Sequence, residues 1–212
     1  MHIKYISSSE LTDSSPHSIK VDGALMVMPF INTSQAQQAA QLMSSRADSP
    51  GMVLAIHDSN QSGFAAIVNA AFKVSQSPYF GYVAQDAYAG RQWLKLAIEA
   101  LGQNKSFLGF NDGKWAGALA GFGLAKRAWA QANYEGNFFY PGYQRHYADA
   151  ELTLLALQAG LYAYDGNSVL IEVDWDKDQS SVDSADRALF AQRKLGQFDG
   201  RITSKPLLDL IT

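Results

Sequence analysis

The sequence predicts an α/β domain with a mostly parallel central sheet flanked by helices, and three observations carry that expectation. Apolar runs of strand length alternate with amphipathic runs of helix length. The runs Ala24–Pro29 and Met52–Ile56 are apolar throughout, as strands covered on both faces are. The order strand, helix, strand, helix, strand then continues to residue 84, which requires right-handed crossovers between parallel neighbours. With 212 residues, 47% of them hydrophobic, the chain suits one domain with a sizeable core.

The elements follow in order. Residues 1–22 read as a polar, Ser-rich N-terminal extension holding one short strand, Ile3–Ile6. Strand Ala24–Pro29 comes next. Thr33 or Ser34 caps a helix from about Gln35 to Ser45. Pro50-Gly51 punctuates, Met52–Ile56 is a second buried strand, and His57-Asp58-Ser59-Asn60 is a polar loop. Gly63-Phe64 opens a helix through Val74, Gln76–Pro78 breaks it, and Tyr79–Ala84 is a third strand. A helix spans Arg91–Leu101, with Trp93, Leu94, Ala97, Ile98 and Leu101 at core spacing. Ser106–Phe110 is a short strand and Asn111-Asp112-Gly113 a turn. The Gly-rich run Ala118–Leu124 suits close approach to a ligand or another strand. A helix over Lys126–Ala132 leads into an aromatic loop, Asn133–Arg145. An amphipathic helix over Ala148–Ala159 ends at Gly160. Leu161–Tyr164 and Ser168–Val173 are expected to form a hairpin around Asp165-Gly166-Asn167. Residues 174–185 are acidic and polar, and Ala188–Leu195 is a last helix.

Composition excludes several functions. The net charge is −3, so the basic footprint of a nucleic-acid binder is missing. There are no cysteines, which removes disulfides, thiolate nucleophiles and Cys-based metal centres. The N-terminus lacks the apolar run of a signal peptide, and the longest apolar stretches are too short to cross a bilayer. The expectation is a cytoplasmic protein without transmembrane segments, peripheral to a membrane if its acceptor is lipid-linked.

In a parallel sheet, ligands sit beyond the carboxyl ends of the strands. Three strand exits are therefore the first place to look: Pro29–Thr33, His57–Asn60 and Gln85–Gly90. Asp86 leaves the third strand where a metal-binding carboxylate would be well placed; a turn or capping Asp is the alternative. Asp58 ends the second strand, where an ordinary Asx-turn is the alternative. In Arg145-His146-Tyr147-Ala148-Asp149, His146 and Asp149 are three residues apart and share a face on a helical turn. Asp149 also suits the start of a helix, where the dipole favours a carboxylate.

Two segments carry a resemblance. One is GFAAIVNAAFKVSQSPYFGYVAQDAYAGRQWLKLAIEAL, residues 63–101. The other is GFGLAKRAWAQANYEGNFFYPGYQRHYADAELTLLALQAG, residues 121–160. In order and spacing they resemble the central and acceptor parts of family-2-like GT-A glycosyltransferases, and with the first two strands the likeness spans about 24–175. It implies a nucleotide-binding half, 24–101, an acceptor half, 102–175, and a C-terminal tail, 176–212. It implies a nucleotide-diphosphate sugar donor, a carbohydrate or glycan-precursor acceptor, inversion at the sugar, and a divalent cation, manganese or magnesium. Gln85-Asp86-Ala87 falls on the family's Asp-x-Asp motif with only one acid, which puts the metal in question.

On this resemblance, Pro29, Asn32 and Thr33 lie where the nucleotide base stacks. Asp58 lies where an acid reads uracil or ribose. Asn69 lies near the nucleotide, and Gln85 and Asp86 at the diphosphate. Asp86 is the metal carboxylate, with His146 a further metal or phosphate ligand. Asp149 is the base that deprotonates the acceptor hydroxyl. Tyr140 and Tyr143 are expected on the acceptor side, while Trp129 and Phe138 are expected in the core. Family members close the metal site with a C-terminal residue, often His. Here Asp174 or Asp176 of the acidic run would substitute, unless that run is a solvated loop. Two other readings are a nucleotide-sugar-binding protein with a degraded site and a nucleotidyltransferase.

Overall fold

A computed structural model describes residues 1–173 and 182–211. The chain runs β1 (His2–Ser7), α1 (Ser8–Thr12), β2 (Ile19–Lys20), β3 (Ala24–Phe30), α2 (Thr33–Arg46), β4 (Gly51–His57) and α3 (Phe64–Val74). It continues β5 (Ser75–Gln76), β6 (Tyr79–Tyr82), β7 (Ala87–Ala89), α4 (Trp93–Leu101), β8 (Phe107–Asn111), β9 (Gly123–Lys126) and α5 (Arg127–Gln131). It closes with α6 (Ala148–Gln158), β10 (Tyr162–Glu172), α7 (Ser184–Leu195), α8 (Gln197–Gly200) and α9 (Lys205–Leu208).

Eight strands form one sheet in the order β1-β4-β3-β6-β9-β8-β10-β7. The pairs β1–β4, β4–β3, β3–β6 and β8–β10 are parallel, while β9 and β7 run antiparallel to their neighbours. The α/β expectation with a mostly parallel sheet therefore holds. Among the described residues, no helix is long and apolar enough to cross a membrane.

The central strand β3 shows why the sheet is covered twice. All seven of its residues are buried. Leu25 and Val27 join one apolar cluster, with Leu54 and Ile56 of β4 and Ile67, Val68 and Phe72 of α3. Ala24, Met26, Met28 and Phe30 join the other, with Val53 and Ala55 of β4, Met43 of α2 and Trp93 of α4. The period of two sends alternate residues to opposite faces, and each fully buried Val, Leu or Met contributes about 1.5–3 kcal/mol. Pro29 fits this central strand because of where it falls. Val27 accepts the Val83 N–H on the β6 side and Phe30 accepts the Asp58 N–H on the β4 side. Pro29 faces the same way as Val27, beyond the last β6 pair, Val27–Tyr82. Its missing N–H therefore removes no ladder bond.

Two expectations change. Leu161–Val173 is no hairpin. Both halves belong to the single strand β10, which stays parallel to β8 through Tyr162–Phe107 and resumes at Val169–Asn111. The Asp-Gly-Asn segment bulges outward instead of reversing the chain. Asp165 accepts the Asn167 N–H locally, and the Asn111 side-chain amide donates to the Gly166 carbonyl. A turn-like tripeptide thus made a bulge, because β8 continues beside it as a template. The expected strand Ile3–Ile6 is present as β1, and it pairs with β4 from His2 to Ser7 as an edge of the main sheet.

Candidate functional site

The C-terminal ends of β3, β4, β6, β8 and β10 share one edge of the sheet, and carboxylates collect at the β6, β8 and β10 end of it. Asp86 follows β6 and is partly buried; its carbonyl accepts the Val173 N–H at 3.3 Å. Glu172, the last residue of β10, pairs with Ala87 in the antiparallel ladder to β7. Its N–H donates to the carbonyl of Asp112 at 3.2 Å. Asp112 follows β8 and is 2% exposed. Glu172 is thus the backbone neighbour of both Asp86 and Asp112.

Asp149 joins this group from the first turn of α6. No side chain caps that helix; Tyr147 takes the cap position with φ 65°. The Asp149 carboxylate accepts first-turn N–H groups of Ala150 and of Asp149 itself, which favours its charged form. Burial outweighs them and raises its pKa from 3.8 to about 6, with Glu172 and Asp112 adding repulsion. Thr153, one turn on, donates its hydroxyl to the Asp149 carbonyl at 2.7 Å and accepts the Ala120 N–H at 3.2 Å. The loop between β8 and β9 is thereby tied to the turn that carries Asp149.

That loop is organised by Asp112. Its Oδ1 accepts the N–H groups of Lys114 and Trp115, each at 2.9 Å. Its Oδ2 is buried with no hydrogen-bond partner among the described residues. The Tyr162 hydroxyl is likewise buried without a partner, and the charge of Asp112 contributes to its raised pKa, after burial.

The other expected residues lie as follows. Asn32 caps α2, its Oδ1 accepting the Gln35 N–H, and Thr33 beside it is exposed. Gln85 bridges two strand exits. Its Oε1 accepts the N–H groups of Ile31 at 2.8 Å and Asn32 at 2.9 Å, and its Nε2 donates to Gln35. The Gln85 amide oxygen, expected at the diphosphate, therefore holds backbone N–H groups. Asp58 builds a turn, accepting the N–H groups of Ser62 and Gly63. Gly63 has φ 92°, and a Cβ there would lie 2.7 Å from the Gln144 carbonyl oxygen, so the α3 start needs glycine.

Asn69, Tyr143, Tyr140 and His146 each carry contacts within the fold. Asn69 is 6% exposed and brackets the aromatic loop. Its Oδ1 accepts the N–H groups of Phe138 and Phe139, and its Nδ2 donates to the Phe139 carbonyl, so its amide oxygen is committed to the loop. Tyr143 is 2% exposed and donates its hydroxyl to Glu151 at 2.8 Å. Tyr140 lies under the Arg193 guanidinium, 3.5 Å from its ring centre. Tyr143 thus belongs to the buried knot around Glu151, and the half-buried Tyr140 packs against it through Tyr143 and Arg193. His146 accepts the Asp183 N–H at its Nδ1, 3.2 Å away. Asp174, Asp176 and Asp178 lie outside the described residues.

Among the described residues, no three His, Asp or Glu side chains gather closely enough to hold a metal ion. That is compatible with magnesium or manganese, which take one or two carboxylates and draw their other ligands from phosphate oxygens and water.

Sequence reasoning missed Asp112, read only as a turn residue, and left Trp115 in an aromatic run that suits either an acceptor platform or the core, without choosing between them. The strand-exit rule applied to β8, as it was to the first three strands, would have found both.

No protein-family model matches the chain, and no curated protein matches it. Solved structures do. A mannosyltransferase from Pyrobaculum calidifontis, in complex with GDP-mannose and Mn2+, superposes with TM-score 0.60 at 14% identity, over 93% of this chain and 71% of that one. Glucosyl-3-phosphoglycerate synthase from Mycobacterium tuberculosis, in complex with Mg2+ and UDP, gives 0.58 at 10% identity, over 96% and 88%. S. aureus TarS, residues 1–349, gives 0.51 at 12%, over 82% and 74%. The fold is therefore the GT-A fold of glycosyltransferases.

Proposed function

We propose that this protein is a glycosyltransferase that moves a sugar from a nucleotide-diphosphate donor to a carbohydrate acceptor with inversion. The observation that carries this reading is a GT-A sheet with Asp86, Asp112 and Glu172 at the ends of its β6, β8 and β10 strands, and Asp149 within electrostatic reach of Asp112 and Glu172. An acidic edge repels a diphosphate unless a cation accompanies it. Asp86 would hold a magnesium or manganese ion together with the diphosphate oxygens, and that ion would neutralise the leaving group. The solved structures with Mn2+ or Mg2+ support this chemistry.

This chain's own residues do the rest. The exits of β3 and β4, with Pro29, Asn32, Thr33 and Asp58, receive the nucleoside. Gln85 holds the Ile31–Asn32 backbone in shape for it. His146, at the start of the turn that carries Asp149, would help bind the metal or a phosphate. Asp149, with a pKa of about 6, is charged at neutral pH and basic enough to take a proton. It accepts the acceptor hydroxyl's proton as that oxygen attacks the anomeric carbon and the nucleotide diphosphate departs from the opposite face.

Asp149→Asn removes transfer, by at least about a hundredfold, and leaves nucleotide-sugar binding within a few-fold. Initial rates and calorimetry with UDP-, GDP- and other nucleotide sugars in the presence of manganese check both. Full activity in the variant overturns the assignment. A second reading, a nucleotide-sugar-binding protein without transfer, is favoured by the commitment of Gln85 to backbone N–H groups. Donor binding without hydrolysis or transfer in the unmutated protein would select it.

A further inference from the structure

Trp115 is a large aromatic side chain left 42% exposed on a loop whose backbone is held rigidly. Asp112 Oδ1 holds its N–H, and the Trp115 carbonyl accepts the Ala118 N–H at 2.9 Å. Gly121 packs beneath it. A Cβ there would lie 2.8 Å from Asp112 Oδ2 and 3.6 Å from the indole Cδ1. The adjoining Ala120 is bonded through Thr153 to the carbonyl of Asp149. The indole therefore borders the loop segment that Thr153 ties to the turn carrying the proposed base. Gly117, at φ 83°, packs its backbone against the Tyr164 ring, which is itself 38% exposed. Two ordered rings thus border one loop at the acidic edge.

The charge around them selects a ligand. Among the described residues, the charged groups that bear on Asp149 are Glu172 and Asp112, both acids. Lys114 is the cation on this loop, and it is already 3.9 Å from Glu172 and 5.5 Å from the centre of the Trp115 ring. An anionic acceptor would meet repulsion here. A neutral sugar ring, with an apolar C–H face and hydroxyls for the acids, meets a complementary surface.

We infer that Trp115 is the stacking platform for the acceptor, and that the acceptor is a neutral pyranoside, not a phosphorylated or carboxylated small molecule. The inference rests on the transferase reading of the same site.

The test uses the full chain and two variants, Trp115→Ala and Trp115→Phe, with methyl α- and β-pyranosides as neutral probes and 3-phosphoglycerate as the anionic one. Donor hydrolysis, transfer to each probe, and saturation-transfer NMR of each probe are read in parallel. Trp115→Ala raises the KM for the neutral probe by about tenfold, Trp115→Phe recovers most of it, and donor hydrolysis is unchanged. Saturation transfer from the protein to the pyranoside fades in Trp115→Ala, and 3-phosphoglycerate accepts no sugar. Unchanged acceptor KM in Trp115→Ala, or transfer to 3-phosphoglycerate at a comparable kcat/KM, overturns the inference while leaving the transferase reading intact. If the unmutated protein turns over no donor, the transferase reading fails. The platform then stands if the pyranoside signal depends on Trp115, and falls if it does not.

Discussion

Asp149 and Glu151 stand two residues apart on the first turns of α6, and the protein treats their charges in opposite ways. Glu151 is fully buried and fully answered. Arg193 meets it with two bonds of 2.7 Å, and the hydroxyls of Tyr134 and Tyr143 donate to it at 2.9 and 2.8 Å. Arg193 in turn reaches Asp199 and covers Tyr140. Asp149 receives no Lys or Arg among the described residues; its charged neighbours are acids, and its pKa rises to about 6. The contrast separates a carboxylate that fixes structure from one kept reactive. Every acceptor lone pair that a fold satisfies is withdrawn from chemistry, and an acid left with like charges retains its appetite for a proton.

Breaking the answered side should have the largest effect. Arg193→Met strands the buried Glu151 charge and costs about 3–5 kcal/mol in urea unfolding. Adding Glu151→Leu recovers a large part of that loss, since the stranded charge is then gone. A small effect of Arg193→Met would mean that the tyrosines alone carry Glu151.

Altering the unanswered side should stabilise. A carboxyl whose folded pKa lies above its unfolded value binds protons more tightly when folded. Its penalty is absent below about pH 4, grows as the pH rises, and is complete above about pH 6. Asp149→Asn should therefore gain about 2–3 kcal/mol at pH 7.5 and nothing at pH 3.5. A gain that is equal at both values would detach the effect from this charge.

Two smaller effects sharpen the same distinction between structural and reactive polar groups. Asn69→Ala leaves the N–H groups of Phe138 and Phe139 unanswered in the core and costs about 2 kcal/mol, without changing nucleotide affinity. Gln85→Ala frees two N–H groups at a solvent-exposed strand exit and costs under about 1 kcal/mol. Its sharper readout is nucleotide affinity, which should weaken as the Ile31–Asn32 backbone loosens.

Much of the fold was legible because it rests on local patterns. Ala24–Pro29 and Met52–Ile56 are apolar on both faces, and the sheet buries both faces. The Asp165-Gly166-Asn167 bulge was not legible, because the choice between bulge and turn depends on β8, some fifty residues earlier. The site divides in the same way. Asp86 and Asp149 follow from strand exits, helix starts and family spacing. The duties of Asn69 and His146 depend on partners far along the chain, Phe139 and Asp183. A polar residue's type announces what it can bond, and only the fold decides whether that capacity is already used. Arg193 had no sequence signal at all, since a basic residue on a C-terminal helix ordinarily points to water.

The most direct test of the central claim is a carboxyl titration of Asp149 by 13C NMR, assigned with Asp149→Asn and run with and without magnesium and a nucleoside diphosphate. The account predicts a midpoint near pH 6 in the free protein. It predicts a response to the magnesium–diphosphate pair that Asp86→Asn abolishes. A midpoint at the ordinary carboxylate value, indifferent to that pair, would contradict it.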